Sequence, residues 1–113
     1  MAKKNMLNES IPYQVESFIR ELGQNLKTAR LRRNLSIQSV ADKIGVSRNL
    51  VAAAEKGSLT SSISLYIALL WAYDLQSTAT DIANPLKDEV GLQLARLKEP
   101  KKSRTIKGLD NDF

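Results

Sequence analysis

Apolar residues recur at helical spacing along most of the chain, and short polar or glycine-bearing breaks separate the runs. Val15, Phe18, Ile19, Leu22, Leu26 and Ala29 form the first run, which predicts a helix from about Val15 with one apolar face. It should end near Asn34, because asparagine tolerates the left-handed cap conformation almost as glycine does. In the next run, Val40, Ile44, Val46, Val51 and Ala54 fall where two short helices meeting at a sharp angle would bury side chains against each other. Ala41 is small where those helices cross, and Gly45 supplies the left-handed backbone that the turn needs. Ser36 and Ser47 each precede a helical run and can accept bonds from its unpaired first amides.

After Gly57, a helix C-cap, the polar stretch Ser58 to Ser62 forms a loop with another capping serine. The segment ISLYIALLWAYDL that follows is apolar on more than one face. Part of it must be core. The remainder either serves a symmetric dimer contact or is buried in a wholly internal helix. From Gln76 the character changes. STATDIANP predicts a short capped helix stopped before Pro85, and KDEVGLQLARLKE places Val90, Leu94 and Leu97 along one helical face despite Gly91. The organisation that results is a flexible N-terminal arm over residues 1–13, a helical domain over 14–76, a helical extension over 77–99 for dimer or partner contacts, and a flexible tail over 100–113.

Charge refines this picture. The chain of 113 residues has 17 basic and 12 acidic side chains, a formal net charge of +5. Eight basic residues face three acidic ones between positions 18 and 56, whereas residues 57–86 contain no lysine or arginine. The positive field thus coincides with the two short helices, as binding to phosphates requires. Cysteine and histidine are both absent. Disulfides, zinc sites built on those ligands and a histidine base are therefore excluded, and no carboxylate, lysine or hydroxyl pair stands in a recognisable catalytic arrangement. There is no Gly-rich phosphate loop either. No enzyme activity, metal or cofactor is expected. No run approaches the length of a membrane span, so a cytoplasmic protein is the default.

The cap, helix, glycine, cap and helix between Ser36 and Lys56 read together as a helix-turn-helix, with the second helix positioned to read DNA. Val51 and Ala54 face inward on that helix, so its opposite face presents Ser47, Arg48, Asn49, Ala52, Ala53 and Lys56. Arginine can bond a guanine edge twice and asparagine an adenine edge likewise, while alanine offers only small apolar contacts, as to thymine methyls. The amides after Ser36 form an anion site at which a phosphate can rest, helped by Gln38, Ser39 and Lys43. Arg32 and Arg33 are further phosphate candidates, or simply aid solubility.

From Leu22 to Leu75, including the run EKG at Glu55 to Gly57, the chain resembles the Cro and phage-repressor family, also called XRE-like. That resemblance implies an all-α fold: a compact five-helix, lambda-repressor-like DNA-binding domain, here with a C-terminal helical extension and a flexible tail. It also implies base-reading positions at Arg48, Asn49 and Ala53, a backbone contact at Lys56, and a structural ion pair between Arg30 and Glu55. Many relatives carry glutamine directly after the cap of the first short helix; this chain has Ile37 there, with Gln38 next. The segment Asp81 to Arg104, containing PLKDEVGLQLARLKEPKKSR, resembles the tails of HipB-like antitoxins found beside HipA-type toxin kinases. This second likeness implies a homodimer on double-stranded DNA, an inverted-repeat operator at its own promoter, and a HipA-type kinase toxin, whole or split, as protein partner. A stand-alone phage-type or XRE-family regulator without a toxin is the alternative.

Overall fold

The computed structural model describes residues 10–98, and among them every regular element is a helix. Helix α1 spans Tyr13–Arg32, α2 Ile37–Ile44, α3 Arg48–Glu55, α4 Ile63–Ala72 and α5 Glu89–Lys98, with 3-10 turns at Gln76–Ala79 and Pro85–Lys87. The fold is all-α. None of these helices is long and apolar enough to cross a membrane. The chain divides between Ala79 and Thr80 into two units, one holding α1 to α4 and the other α5. Residues 1–9 of the arm expected over 1–13, and the tail over 100–113, lie outside the described residues.

Local chemistry sets the ends of each short helix. Ser36, Ser47 and Ser62 are in extended conformation, and their hydroxyls accept bonds from the amides of Ser39, Leu50 and Leu65. Each thereby satisfies one first-turn amide that would otherwise lack a helical partner. Gly45 stops α2 with φ 76°, and Gly57 follows α3 with φ 80°. Asn34 takes φ 54° after α1, the asparagine version of the same stop.

One core joins the four helices of the first unit. Leu26 of α1, Val40 and Ala41 of α2, Val51 and Ala54 of α3, and Leu65, Leu69 and Tyr73 at α4 are all buried. Ala41 and Ala54 are fully buried, and both lie in the helix pair α2 and α3. Glycine allows a second close approach. A Cβ on Gly23 of α1 would lie 2.5 Å from the carbonyl oxygen of Ala54 and 2.7 Å from that of Glu55. A Cβ on Gly57 would lie 2.6 Å from the Cα of Arg20. These two glycines let α1 lie directly against the end of α3.

Several sequence expectations need correction. Val15 and Phe18 belong to the apolar pattern of α1 but are exposed, and the helix begins earlier, at Tyr13, a residue assigned to the arm. The pattern continues into turns of α1 that no other part of the core reaches. Helix α4 is not wholly buried: Leu65, Tyr66, Leu69, Leu70 and Ala72 are buried, while Ile63 and Trp71 lie open at its two ends. No α-helix forms over STATDIANP. There the Thr78 hydroxyl donates to the Leu75 carbonyl, Ala83 takes φ 55°, and Asn84 caps the 3-10 turn at Pro85 through the Leu86 amide. Short polar side chains that bond their own backbone compete with helix formation in this way.

Candidate nucleic-acid interface

Helix α3 has two unlike faces. Val51 and Ala54 enter the core, and Glu55 turns toward α1. Arg48, Asn49, Ala52, Ala53 and Lys56 share the other side, at positions that fall within one stripe of a 3.6-residue helix. Arg48, Asn49 and Lys56 are exposed, as is the capping Ser47, while Ala52 and Ala53 are half-buried. Neither Arg48 nor Lys56 enters a salt bridge among the described residues. Their donors are free for an external acceptor.

The angle at which this face is presented is fixed from behind. Arg30 Nε donates to Glu55 Oε2 at 2.7 Å, and Nη2 donates to Oε1 at 3.1 Å, a two-bonded fork between α1 and the end of α3. A third nitrogen, Nη1, donates to the Leu35 carbonyl at 2.8 Å, which ties the entry of α2 to the same guanidinium. Both charged side chains are buried. The hydrogen bond that Arg30 gives to Glu55 raises the Arg30 pKa above its ordinary value against the opposing effect of burial, so the guanidinium keeps its charge. Tyr73 closes the assembly from α4. Burial, with the nearby Glu55 charge second, pushes its phenol up to about 12, and the Arg33 guanidinium lies 5.8 Å from its ring centre.

Between α1, the start of α2 and α3 lies a cleft of about 160 Å³ lined by Lys27, Arg30, Ile37, Ala52, Glu55 and Lys56. With Arg30 and Glu55 engaged with each other, the cations available there are Lys27 and Lys56. Lys27 was not singled out in the sequence. Its signal was its place one helical turn before Arg30, on the side that Arg30 directs toward α3.

The residues assigned to the phosphate site at the start of α2 separate. Gln38 and Ser39 are exposed there, but Gln38 Nε2 donates to Asp42 Oδ1 at 2.9 Å and the Ser39 hydroxyl donates to the Ser36 carbonyl. Lys43 is at the other end of the helix, about 10 Å along the axis from Ser36 at 1.5 Å per residue. Its ammonium donates to the Ala72 carbonyl at 3.4 Å and lies 5.5 Å from the Trp71 ring centre. A cation suits that place because it lies at the negative end of the α4 dipole and over an aromatic face. Lys43 therefore secures α2 to α4 and stands apart from Gln38.

A scan against protein-family models matches residues 21–81, over half of the chain, to a helix-turn-helix domain. No curated protein matches the chain, and no solved structure does. The matched span covers both helices of the turn, the buried Arg30 and Glu55 behind them, and the exposed stripe of α3. In such a domain the second helix of the pair lies in the major groove and meets base edges with its N-terminal residues. The chain belongs to the helix-turn-helix domain family of DNA-binding regulators.

Proposed function

We propose that the protein is a sequence-specific transcriptional repressor that binds an inverted-repeat operator as a dimer. The observation that carries this reading is the outward face of α3, where Arg48 and Asn49 are exposed on the first turn. Two-bonded contacts from these side chains to guanine and adenine would supply the reading, each worth about 1 to 3 kcal/mol of discrimination. Ala52 and Ala53 would meet thymine methyls. Ser47 and Lys56, with Ser39 and the first amides of α2, would hold the phosphates on either side, and Lys27 joins them at the cleft. Gln38 would join by exchanging its bond to Asp42. Lys43 is left out of this set because α4 engages its ammonium. Repression follows from occupancy: a bound dimer excludes polymerase from an overlapping promoter.

Two copies of α3 related by a two-fold axis would enter successive major grooves roughly 34 Å apart. Fluorescence anisotropy on the chain's own upstream DNA, against a scrambled duplex and across a salt series, tests this. Selective binding by two protomers, with affinity falling steeply as salt rises, is the expected result. Equal binding to both duplexes would remove Arg48 and Asn49 as readers.

The likeness of Asp81 to Arg104 to HipB-like tails supports a second part of the proposal. The repressor would also be the antitoxin of a HipA-type kinase, whole or split, and would regulate its own operon. A kinase-like reading frame on the same transcript, whose product copurifies with this chain, is the expected observation. A solitary gene or a prophage setting would instead identify a stand-alone regulator.

A further inference from the structure

None of the described residues from Thr80 to Lys98 is buried. Yet this unit carries Ile82, Leu86, Val90, Leu94 and Leu97 with exposures of 63, 81, 67, 53 and 82%. In α5 the last three recur at i, i+4 and i+7, so they form one continuous apolar stripe. A ten-residue helix is too short to persist by its own backbone bonds, since isolated helices below about 12 to 15 residues are marginal in water. Covering the stripe is what would hold α5 in place.

Charge along the helix indicates the cover. The first turn is acidic, with Glu89 after Asp88, whose Oδ1 accepts the Gly91 amide at 2.9 Å. The last turn is basic, with Arg96 and Lys98. An identical helix laid antiparallel places each acidic end beside a basic one and opposes the two helix dipoles; a parallel copy places like ends together. We propose that α5 pairs antiparallel with α5 of a second copy of the chain, about a two-fold axis at the middle of the stripe. Val90 of one copy then packs beside Leu97 of the other, and the two Leu94 side chains meet near the axis. This names the interface of the dimer and rests on the dimeric reading above. The six side chains of the two stripes would bury several hundred Å² at most, the size of a weak contact. The free dimer should therefore dissociate in the micromolar range, with paired DNA sites adding to its stability.

Sedimentation of the full chain without DNA, from about 1 to about 500 μM to bracket a weak contact, tests the proposal. A monomer–dimer equilibrium is expected. Leu94→Lys should raise the dissociation constant at least about a hundredfold, because two ammonium groups would then face each other at the axis, while the thermal transition of the first unit stays in place. The combined change Arg96→Glu and Lys98→Glu should weaken the dimer about tenfold, with Glu89→Lys restoring most of it. Because the chain has no cysteine, cross-linking reads the direction. Val90→Cys mixed with Leu97→Cys should give a mixed disulfide that neither gives alone, whereas self-linking at Leu97→Cys would mean parallel helices and overturn the arrangement. A chain that stays monomeric throughout overturns the pairing. A dimer indifferent to Leu94→Lys overturns the interface while leaving the dimeric repressor intact, and the anisotropy stoichiometry judges that reading separately.

Discussion

Helices α3 and α5 are alike in sequence pattern and opposite in circumstance. Each carries apolar residues at helical spacing beside charged ones, but Val51 and Ala54 of α3 are fully buried while Val90, Leu94 and Leu97 of α5 lie open. What separates them is the neighbours. Gly45 turns α2 onto α3, and Gly23 and Gly57 allow α1 to approach the end of α3 at backbone distance. Among the described residues, helix α5 has no such set of close approaches within its own unit. An apolar stripe therefore announces a helix, and small residues elsewhere decide whether that helix is fixed.

The strongest way to break the contrast is to remove what fixes α3. Glu55→Ala would leave Arg30 buried with no carboxylate, and stability should fall by about 3 to 5 kcal/mol. Urea denaturation followed by circular dichroism measures it. Gly23→Ala should cost about 3 kcal/mol, because backbone carbonyls of α3 occupy the space for its Cβ and cannot move like a flexible side chain. In α5, Leu94→Ser should leave the unfolding of the first unit within about 0.5 kcal/mol, the usual range for surface changes.

These differences also show how far the sequence could be read. The all-α fold and the helix-turn-helix were legible because cap, periodicity and glycine agree over a short span: Ser36, Val40, Ala41, Gly45, Ser47 and Val51 each have one obvious place. Exposure was not legible where the pattern outran its neighbours. Phe18 keeps the period of α1 but is exposed among the described residues, and Trp71 sits in the apolar run of α4 yet lies open beside Lys43. Residues 76–84 failed for a local reason, since Thr78 and Asn84 bond their own backbone in place of a helix. At the candidate site, the stripe on α3 follows from which positions are buried. The direction of Lys43 does not, because a lysine four bonds long can serve either a phosphate or the carbonyl end of α4.

The outer face of α3 sharpens the comparison through binding. Arg48→Ala should lower discrimination between operator and random DNA by about 1 to 3 kcal/mol, read as a ratio of dissociation constants. Stability should change little, since this side chain is exposed. The lysines divide by smaller effects. Lys56→Ala should weaken binding to every sequence alike and reduce the salt slope by about one. Lys43→Ala should leave that slope unchanged and lower stability by about 0.5 to 1 kcal/mol, the worth of an exposed cation on an aromatic face or helix end. A flatter salt slope in the Lys43 variant would return this residue to the phosphate set.

The smallest effect at neutral pH concerns the group behind the ion pair. Tyr73 is buried, and its hydroxyl has no hydrogen-bond partner among the described residues. Tyr73→Phe should therefore be neutral or stabilising by up to about 1 kcal/mol at pH 7, because no bond is lost and an unsatisfied polar group is removed. Alkaline pH separates the two proteins. The fold holds the phenol protonated up to about 12, against 10.0 for the ordinary group. That preference for the protonated form contributes its full stability below the lower value and loses it as pH rises toward the higher one, because the unfolded chain releases the proton first. Thermal melts between these two values should show the parent chain losing stability faster than Tyr73→Phe. Parallel curves would mean that the phenol ionises freely inside the fold, and that Tyr73 does not seal Arg30 and Glu55 from water.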